Sequence, residues 1–279
     1  MMRGMYSAIS GLKNHQIALD VTANDLANVN TVGYKGARAT FQESLAQMQK
    51  AGSSFNAGFA GANPAQVGLG TSLGSIANAM GNGAFHATGA PLDVGVQGDG
   101  WFRVAAGDPT VGPATIDDMQ YTRAGNFTTN NAGYLITQDG RYVIGRDAPS
   151  GGADTFLQVP PGATDVAIAN DGAVTFIPAA GGARATAGYL QLAKFGNESG
   201  LERANANRWK ATGASGAENV GTPGTGGYGQ TIGGVLEMSN VDLASEFTDM
   251  ITAQRGFQAN SRVISTTDEM LSELVNLKR

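Results

Sequence analysis

Apolar residues recur at alternating intervals of four and three near the start of the chain. This first stripe consists of Met5, Ile9, Leu12, Gln16, Leu19, Ala23 and Leu26. Such spacing places the side chains on one face of an α-helix. We predict that the helix ends near Asn28, because Asn30-Thr31-Val32-Gly33 is typical of a turn.

The end of the chain repeats this alternation for more than four heptads. The second stripe consists of Leu243, Phe247, Met250, Gln254, Phe257, Ser261, Ile264, Asp268, Leu271 and Val275. Ser239 followed by Asp242 resembles a capping box, so we predict a helix from about Val241 to Asn276. At 1.5 Å per residue this helix would be roughly 50 Å long. A repeat near 3.5 residues predicts a left-handed coiled coil with a partner helix.

The polar positions of the second helix carry little charge. Between Met250 and Thr267 only Arg255 and Arg262 are charged, whereas a helix that faces solvent usually carries many Glu and Lys residues. Small hydroxyl and amide side chains suit packing against further copies of the chain. Gly256 costs about 1 kcal/mol relative to Ala in a helix, which either a close neighbouring backbone or a kink would explain. The alternative is that both helices belong to the core of an ordinary globular domain.

The region between the helices predicts antiparallel strands joined by short turns. Turn sequences such as Gly98-Asp99-Gly100 and Asn170-Asp171-Gly172 supply the positive-φ residues that tight hairpins need. The predicted strands cover residues 92–96, 101–104, 121–127, 134–137, 141–144, 166–168, 174–177 and 189–195. Two Gly- and Ala-rich stretches, residues 51–65 and 211–230, are predicted to be extended or mobile connections.

These elements predict an α+β fold with a mostly β middle. Long N- and C-terminal helices pair as a coiled coil and bracket an antiparallel β domain. The predicted division is an N-terminal helix at 1–30, an extended linker and contact segment at 31–90, a β-rich domain at 91–238 and a C-terminal helix at 239–279.

Composition and charge exclude several classes of function. The chain has 279 residues, 41 of them Gly, and its net charge of −5 argues against a nucleic-acid-binding groove. The absence of Cys excludes disulfides, thiolate nucleophiles and Cys-based zinc sites. No apolar run approaches the ~20 residues of a membrane span. The start of the chain lacks the apolar stretch of a cleaved signal peptide, so we expect any export to use another route.

The search for catalytic or ligand-binding motifs predicts no catalytic residues, no metal site and no cofactor. His15 falls in the first helix and His86 in a Gly- and Ala-rich loop, without metal-ligand spacing. The glycines around Gly68-Leu69-Gly70 miss the dinucleotide-binding spacing by one residue. Asp117 and Asp118 are better explained as a solvated turn than as an acid–base pair.

Three ordered motifs nevertheless carry a resemblance that covers nearly the whole chain. The segment from Leu19 through Asn24-Asp25-Leu26-Ala27-Asn28 to Lys35 resembles the N-terminal signature of bacterial flagellar rod and hook proteins. Ser239-Asn240-Val241-Asp242-Leu243 with Met250-Ile251-Thr252-Ala253-Gln254-Arg255 is similar to their C-terminal signature. In the middle, Gln97-Gly98-Asp99-Gly100-Trp101-Phe102 and Tyr121-Thr122-Arg123-Ala124-Gly125-Asn126-Phe127 agree as well. One departure is Asp25, where the family usually has a second Asn.

The resemblance implies a structural subunit that assembles into a helical tube of the flagellar hook–basal body and transmits torque for motility. It implies as partners copies of the chain itself, neighbouring rod and hook proteins, the flagellar type III export apparatus and a cap protein. It implies neither nucleic-acid binding nor membrane insertion. The chain would be exported without a cleaved signal peptide.

Within this family the sequence favours a hook-type protein, with the distal rod protein as the alternative. Asn63-Pro64-Ala65-Gln66-Val67-Gly68-Leu69-Gly70 and the ending from Leu274 to Arg279 resemble hook proteins. The length, and the β region that runs from Pro160 to Phe195, resemble the distal rod protein. Candidates from other classes are a secreted β-domain enzyme and a coiled-coil adaptor.

The two helical stripes would pair, line the inner tube and contact neighbouring subunits, and we expect them to become ordered on assembly. The segment from residue 30 to 90 would tune the contacts between subunits and so the stiffness of the tube. The predicted assembly interface consists of Met5, Ile9, Leu12, Leu19, Leu26, Asn28, Gly33, Leu243, Phe247, Met250, Gln254, Phe257, Ile264, Leu271 and Val275.

Overall fold

The computed structural model describes residues 2–52, 61, 63–109, 116–149, 152–179 and 181–277. The chain forms two compact units. The helical unit comprises Met1–Ala27, Ala37–Asn78 and Asp242–Arg279, and the β unit comprises Asn28–Gly36 and Ala79–Val241. Of the predicted connection at residues 51–65, residues 53–60 and 62 lie outside the described residues. The predicted α+β fold, with a helix at each end of a mostly antiparallel β region, is confirmed.

Helix α1 spans Met2–Ala27 and ends one residue before the predicted end. The turn that follows closes when the amide of Thr31 donates to the carbonyl of Asn28 at 3.0 Å. The Thr31 hydroxyl also donates to the Asn28 side chain at 3.1 Å. Gly33 then adopts a φ of +66°, a conformation that residues with a Cβ rarely adopt.

Helix α2 spans Leu243–Asn276, which at 34 residues makes it the longer of the two. Its N-cap is Asp242, whose side chain accepts a hydrogen bond from the amide of Ala244 at 3.0 Å. The predicted capping box that begins at Ser239 is therefore wrong by three residues. The Ser239 hydroxyl instead accepts from the amide of Val241, just before the cap.

A long antiparallel ribbon completes the helical unit, and each of its two sides consists of two short strands in succession. Its strands are β1 (Ala37–Glu43), β2 (Ala46–Lys50), β3 (Ala65–Gly68) and β4 (Thr71–Asn78). Strand β1 pairs with β4 and β2 pairs with β3, both antiparallel, with a register shift between Thr40 and Phe41. Hydrogen bonds between Ser44 and Gly70, and between Leu69 and Leu45, join the two pairs into one ribbon. This ribbon lies within the segment predicted to be an extended linker at residues 31–90.

The β unit contains all the remaining strands of the described chain. They are β5 (Phe85–Ala87), β6 (Val94–Gln97), β7 (Trp101–Ala106), β8 (Asp117–Thr122), β9 (Thr128–Thr129), β10 (Leu135–Ile136), β11 (Tyr142–Arg146), β12 (Asp154–Phe156), β13 (Thr164–Ile168), β14 (Ala173–Ile177), β15 (Ala185–Leu190), β16 (Leu192–Lys194), β17 (Glu202–Arg203), β18 (Arg208–Lys210), β19 (Asn219–Gly221), β20 (Gln230–Gly233) and β21 (Val235–Glu237). A short 3₁₀ turn lies at Glu198–Gly200.

The main sheet of the β unit runs in the order β13-β14-β15-β11-β7-β8-β18-β17, and its neighbours are antiparallel. Strands β9, β10, β12, β16 and β19 pair beside this path. Two further pairs, β6 with β20 and β5 with β21, join residues that are distant in the sequence.

The local hairpins that the sequence predicts are largely present. Strand β9 pairs with β10, β10 with β11, and β13 with β14, each across a predicted turn. The expected hairpin around Gly98-Asp99-Gly100 is wrong, because β6 pairs with β20 instead of β7. The predicted loose stretch at 211–230 contains β19, which pairs with β16.

Two groups of buried side chains form the core of the β unit. The larger group is aliphatic with three phenylalanines, and Phe102 meets Phe127 edge to face at 5.2 Å between ring centroids. The smaller group contains Trp101 and Trp209, whose centroids are 5.7 Å apart. The β unit therefore has a closed core of its own.

Candidate assembly surface

Helices α1 and α2 pack against each other as an antiparallel pair, which confirms the predicted pairing. Gly256 lies directly against the ring of His15, and a Cβ at Gly11 would lie 2.9 Å from Nδ2 of Asn260. The residue numbers on α1 fall by four as those on α2 rise by four, so the helices run in opposite directions. The two glycines explain how closely the helices approach. His15 has a place in this packing, and His86 lies in strand β5, not in the predicted loop.

Small and polar residues, not large apolar ones, are the most buried part of this helix pair. The buried residues are Ala8, Asn14, Thr22 and Asp25 on α1 and Ala253 and Thr267 on α2. On α2 these positions directly precede the predicted stripe positions Gln254 and Asp268. The buried face of α2 is therefore turned by about one position from the predicted stripe.

The residues predicted for the assembly interface fall into three groups. Half-buried in the single subunit are Met5, Ile9, Leu12, Leu19, Leu26, Met250, Phe257, Ile264 and Leu271. Exposed are Leu243, Phe247, Gln254 and Val275, with 68% of Val275 accessible to solvent. Asn28 and Gly33 form the turn at the start of the β unit, and Gly33 is buried. The role of all three groups in assembly stays a prediction.

Large exposed apolar side chains concentrate in the helical unit. Among the described residues they are Met2, Tyr6, Phe41, Leu45, Met48, Val67, Leu69, Ile76, Phe85, Leu243, Phe247, Ile251, Val263, Met270, Leu274, Val275 and Leu277. All of these except Phe85 belong to the helical unit. Soluble monomers rarely leave so many large apolar side chains uncovered in one unit, which marks this unit as an interaction surface.

The ribbon of β1 to β4 is fastened to α1 near the middle of its length, at Thr71. Asn14 donates to the Thr71 hydroxyl at 2.8 Å, and the Thr71 amide donates to the Ser10 hydroxyl at 3.2 Å. Every residue of β2 and β3 is exposed, including Met48 and Val67. A two-stranded ribbon is marginally stable alone in water, so a neighbouring surface would stabilise this part.

Carboxylates gather where α1 ends and α2 begins. The buried Asp25 accepts from the amide of Ala37 at 2.8 Å. Partial burial raises the pKa of Glu246, and the charges of Asp25, Asp249 and Asp242 raise it further. This end of the helix pair is therefore acidic.

The N-terminal and middle sequence motifs each contribute a residue to a buried ionic cluster inside the β unit. Lys35 Nζ lies 2.6 Å from Glu237 Oε1, and Arg123 lies 3.4 Å from Glu237 Oε2. All three side chains are almost fully buried, and burial lowers the pKa of Lys35. Lys35 and Arg123 lie within motifs that predicted no role for either, and no sequence pattern pointed to Glu237. The only available signal was charge within apolar surroundings.

Among the described residues, no group of side chains has the makeup of a metal site. Within them, His, Asp and Glu side chains form no group of three or more that could hold a metal ion. Asp118 pairs with Arg141 at 2.7 Å, which lowers its pKa, and it lies in β8, not in the predicted turn. Over the same residues, no helix combines the length and hydropathy of a membrane span.

Comparisons with known proteins find matches in three separate parts of the chain. Three family models match: the flagella basal body rod protein at residues 5–35, the flagellar hook protein FlgE/F/G D1 domain at 95–176, and the flagellar basal body rod FlgEFG protein C-terminal region at 232–277.

Individual relatives match along the whole chain. The flagellar basal-body rod protein FlgG of Bacillus subtilis is 44% identical over 100% of both chains. FlgG of Caulobacter vibrioides is 38% identical over 99% of this chain and 100% of its own. The flagellar hook protein FlgE of Borreliella burgdorferi is 26% identical over 100% of both chains.

Proposed function

The chain belongs to the family of flagellar basal-body rod and hook proteins, and on this premise we propose that it is a subunit of the distal rod. The relatives named as rod proteins support this choice, because they match from end to end at 44% and 38% identity. The alignment with the hook protein extends over 441 positions, so that relative has a long insertion that this chain of 279 residues lacks. The preference for a hook-type protein drawn from the sequence is not supported.

The observation that carries the proposal is the uncovered apolar surface of the helical unit. Leu243, Phe247 and Ile251 follow one another at intervals of four on α2, and each is between 44% and 50% exposed. Covering such a side chain contributes on the order of 1.5–3 kcal/mol. Several neighbours around each subunit would therefore supply a large favourable free energy for assembly.

The assembly we propose is an open-ended tube. A surface that contacts a different surface on the next copy generates a helix when the rotation does not close. The paired α1 and α2 would line the inner tube. The subunit would then act mechanically, by transmitting torque, without catalysis or a cofactor.

The ribbon of β1 to β4 would provide a second contact with neighbouring subunits. Leu45 is 68% exposed and Met48 is 57% exposed, and both lie on the side of Thr71 where β2 pairs with β3. Apolar side chains in this position would pack on an adjacent copy and limit bending. This is how the segment from residue 30 to 90 would set the stiffness of the tube.

Further partners follow from the same proposal. The subunit would be exported by the flagellar type III apparatus without a cleaved signal peptide, and it would join neighbouring rod and hook proteins in the hook–basal body. A cap protein at the growing end would guide its assembly.

A labelling experiment tests the location. The chain has no Cys, so Arg184→Cys at an exposed site of the β unit gives one attachment point for maleimide-gold. The variant is expressed in Bacillus subtilis that lacks its own FlgG, and isolated hook–basal bodies are imaged. We expect restored motility and gold along the straight rod. Gold along the curved hook would contradict the distal rod assignment, and gold on neither would contradict the structural role.

A further inference from the structure

The backbone passes between the two units four times, after Ala27, Gly36, Asn78 and Val241. Inside the β unit, three segments that end at such crossings lie together. They are residues 33–36, residues 79–83 and residues 237–240, here called the junction segments. All three segments belong to the β unit.

Glu237 is the centre of these contacts. Its Oε1 accepts from Lys35 Nζ at 2.6 Å in the first junction segment and from the Gly83 amide at 2.9 Å in the second. Its backbone carbonyl accepts from the Gly33 amide at 2.8 Å. Lys35 also donates to the Gly81 carbonyl at 2.8 Å, so one cation and one anion join all three junction segments.

Asn240 repeats this connection three residues later. Its side-chain oxygen accepts from the amide of Gly36 at 2.9 Å. Its side-chain nitrogen donates to the carbonyls of Ala79 at 2.8 Å and Gly81 at 3.0 Å. The amide of Ala79 donates to the carbonyl of Gly36 at 2.8 Å, which closes the network.

Stability alone does not explain why charged groups occupy this position. Ions buried inside a protein lose hydration, and well-packed apolar residues of similar volume often stabilise a fold as well or better. The carboxylate of Glu237 and the amide of Asn240 add what apolar residues cannot, namely directional bonds to several segments at once.

We propose that Glu237 and Asn240 form a junction clamp, which makes the three junction segments open together or not at all. A load that reaches one segment would then be shared by the others. This inference rests on the proposed function only in supposing that the subunit carries torque, because the clamp itself is a property of the single chain.

Hydrogen exchange of backbone amides in the unassembled chain tests the clamp. Lys35→Met removes the cation of the first junction segment and leaves the atoms of the other two unchanged. If the clamp holds, the amides of Gly83 and Asn240 exchange about tenfold faster, although neither bonds to Lys35. Faster exchange confined to residues 33–36 would overturn the proposal.

Asn240→Ala is a second variant, which removes bonds without unbalancing charge. We expect faster exchange at Gly36 and also at Gly33 and Gly83, whose amides bond only to Glu237. Glu218→Gln is the matched control, because it removes a carboxylate paired with buried Arg103 away from the junction segments. That control leaves the junction amides unchanged.

The remaining outcomes are also decisive. If both variants speed exchange uniformly throughout the β unit, including β7 and β11, the cluster serves global stability and the proposal fails. The exchange experiment uses only the unassembled chain. A failure of the chain to form tubes would therefore contradict the proposed function but would not affect the test of the clamp.

Discussion

Phe247→Gln should weaken assembly without changing the stability of the single subunit. Phe247 is 49% exposed, and an aromatic side chain has roughly 150–250 Å² of surface, so about 100 Å² remains in water. At about 25 cal/mol per Å², covering that area contributes about 2.5 kcal/mol. Gln retains some methylene surface, so we expect a loss of about 2 kcal/mol per subunit in the tube.

This loss raises the concentration needed for polymerisation by roughly 30-fold, since each 1.4 kcal/mol is a factor of ten. Sedimentation over a range of protein concentrations measures it. The free energy of unfolding of the unassembled chain, measured by thermal denaturation, should change by no more than about 0.5 kcal/mol, as is usual for surface substitutions. Gln258→Ala, at an exposed polar position of the same helix, is the control and should leave both quantities unchanged.

Two results would contradict the prediction that a neighbouring subunit covers Phe247. An unchanged critical concentration would mean that no neighbour covers Phe247. A loss of stability in the unassembled chain as large as the loss in polymerisation would mean that the side chain already packs within the subunit.

Three further substitutions test individual contacts. Burial and neighbouring carboxylates raise the pKa of Glu246, so its protonated form stabilises the folded chain. This stabilisation is fully present below the ordinary Glu pKa of 4.5 and is lost as the pH rises through the raised pKa. We therefore expect Glu246→Gln to raise the melting temperature at pH 7 by about 1–2 °C and to have no effect at pH 3.5. Gly33→Ala should destabilise the β unit by roughly 2 kcal/mol or more in denaturant unfolding, because φ is +66° and the new Cβ would lie 2.5 Å from the Ala124 amide nitrogen. Gly256→Leu should lower helix content in circular dichroism despite its better propensity, because α1's histidine ring occupies the space, whereas Gly4→Ala, which meets open space, should not.

Local patterns predicted the helices well because each stripe lies within one continuous segment. The exact face of α2 was wrong, because exposed and half-buried positions alternate along the predicted stripe. The pattern marks where large apolar residues lie and not which neighbour covers them. Ala253 is buried in the helix pair while Phe247 stays exposed, because Gly11 and Gly256 let the backbones approach closely. A single sequence does not distinguish the contact within a subunit from contacts between subunits.

Pairing between distant residues could not be predicted. The turn chemistry around Gly98-Asp99-Gly100 is real, but β6 pairs with β20 more than 130 residues later, and no local signal encodes that choice. Likewise, Lys35 and Glu237 are 202 residues apart in the sequence. Their ion pair becomes visible only when the fold brings the N-terminal motif next to Glu237.

Thiol labelling of Ile251→Cys before and after assembly tests whether neighbouring subunits cover the exposed face of α2. Ile251 is 50% exposed on the face of α2 that the account assigns to neighbouring subunits, and Arg184→Cys on the β unit is the matched control. Assembly should slow labelling at position 251 by at least about tenfold and leave labelling at position 184 nearly unchanged. Equal labelling of position 251 in the free subunit and in the tube would contradict it.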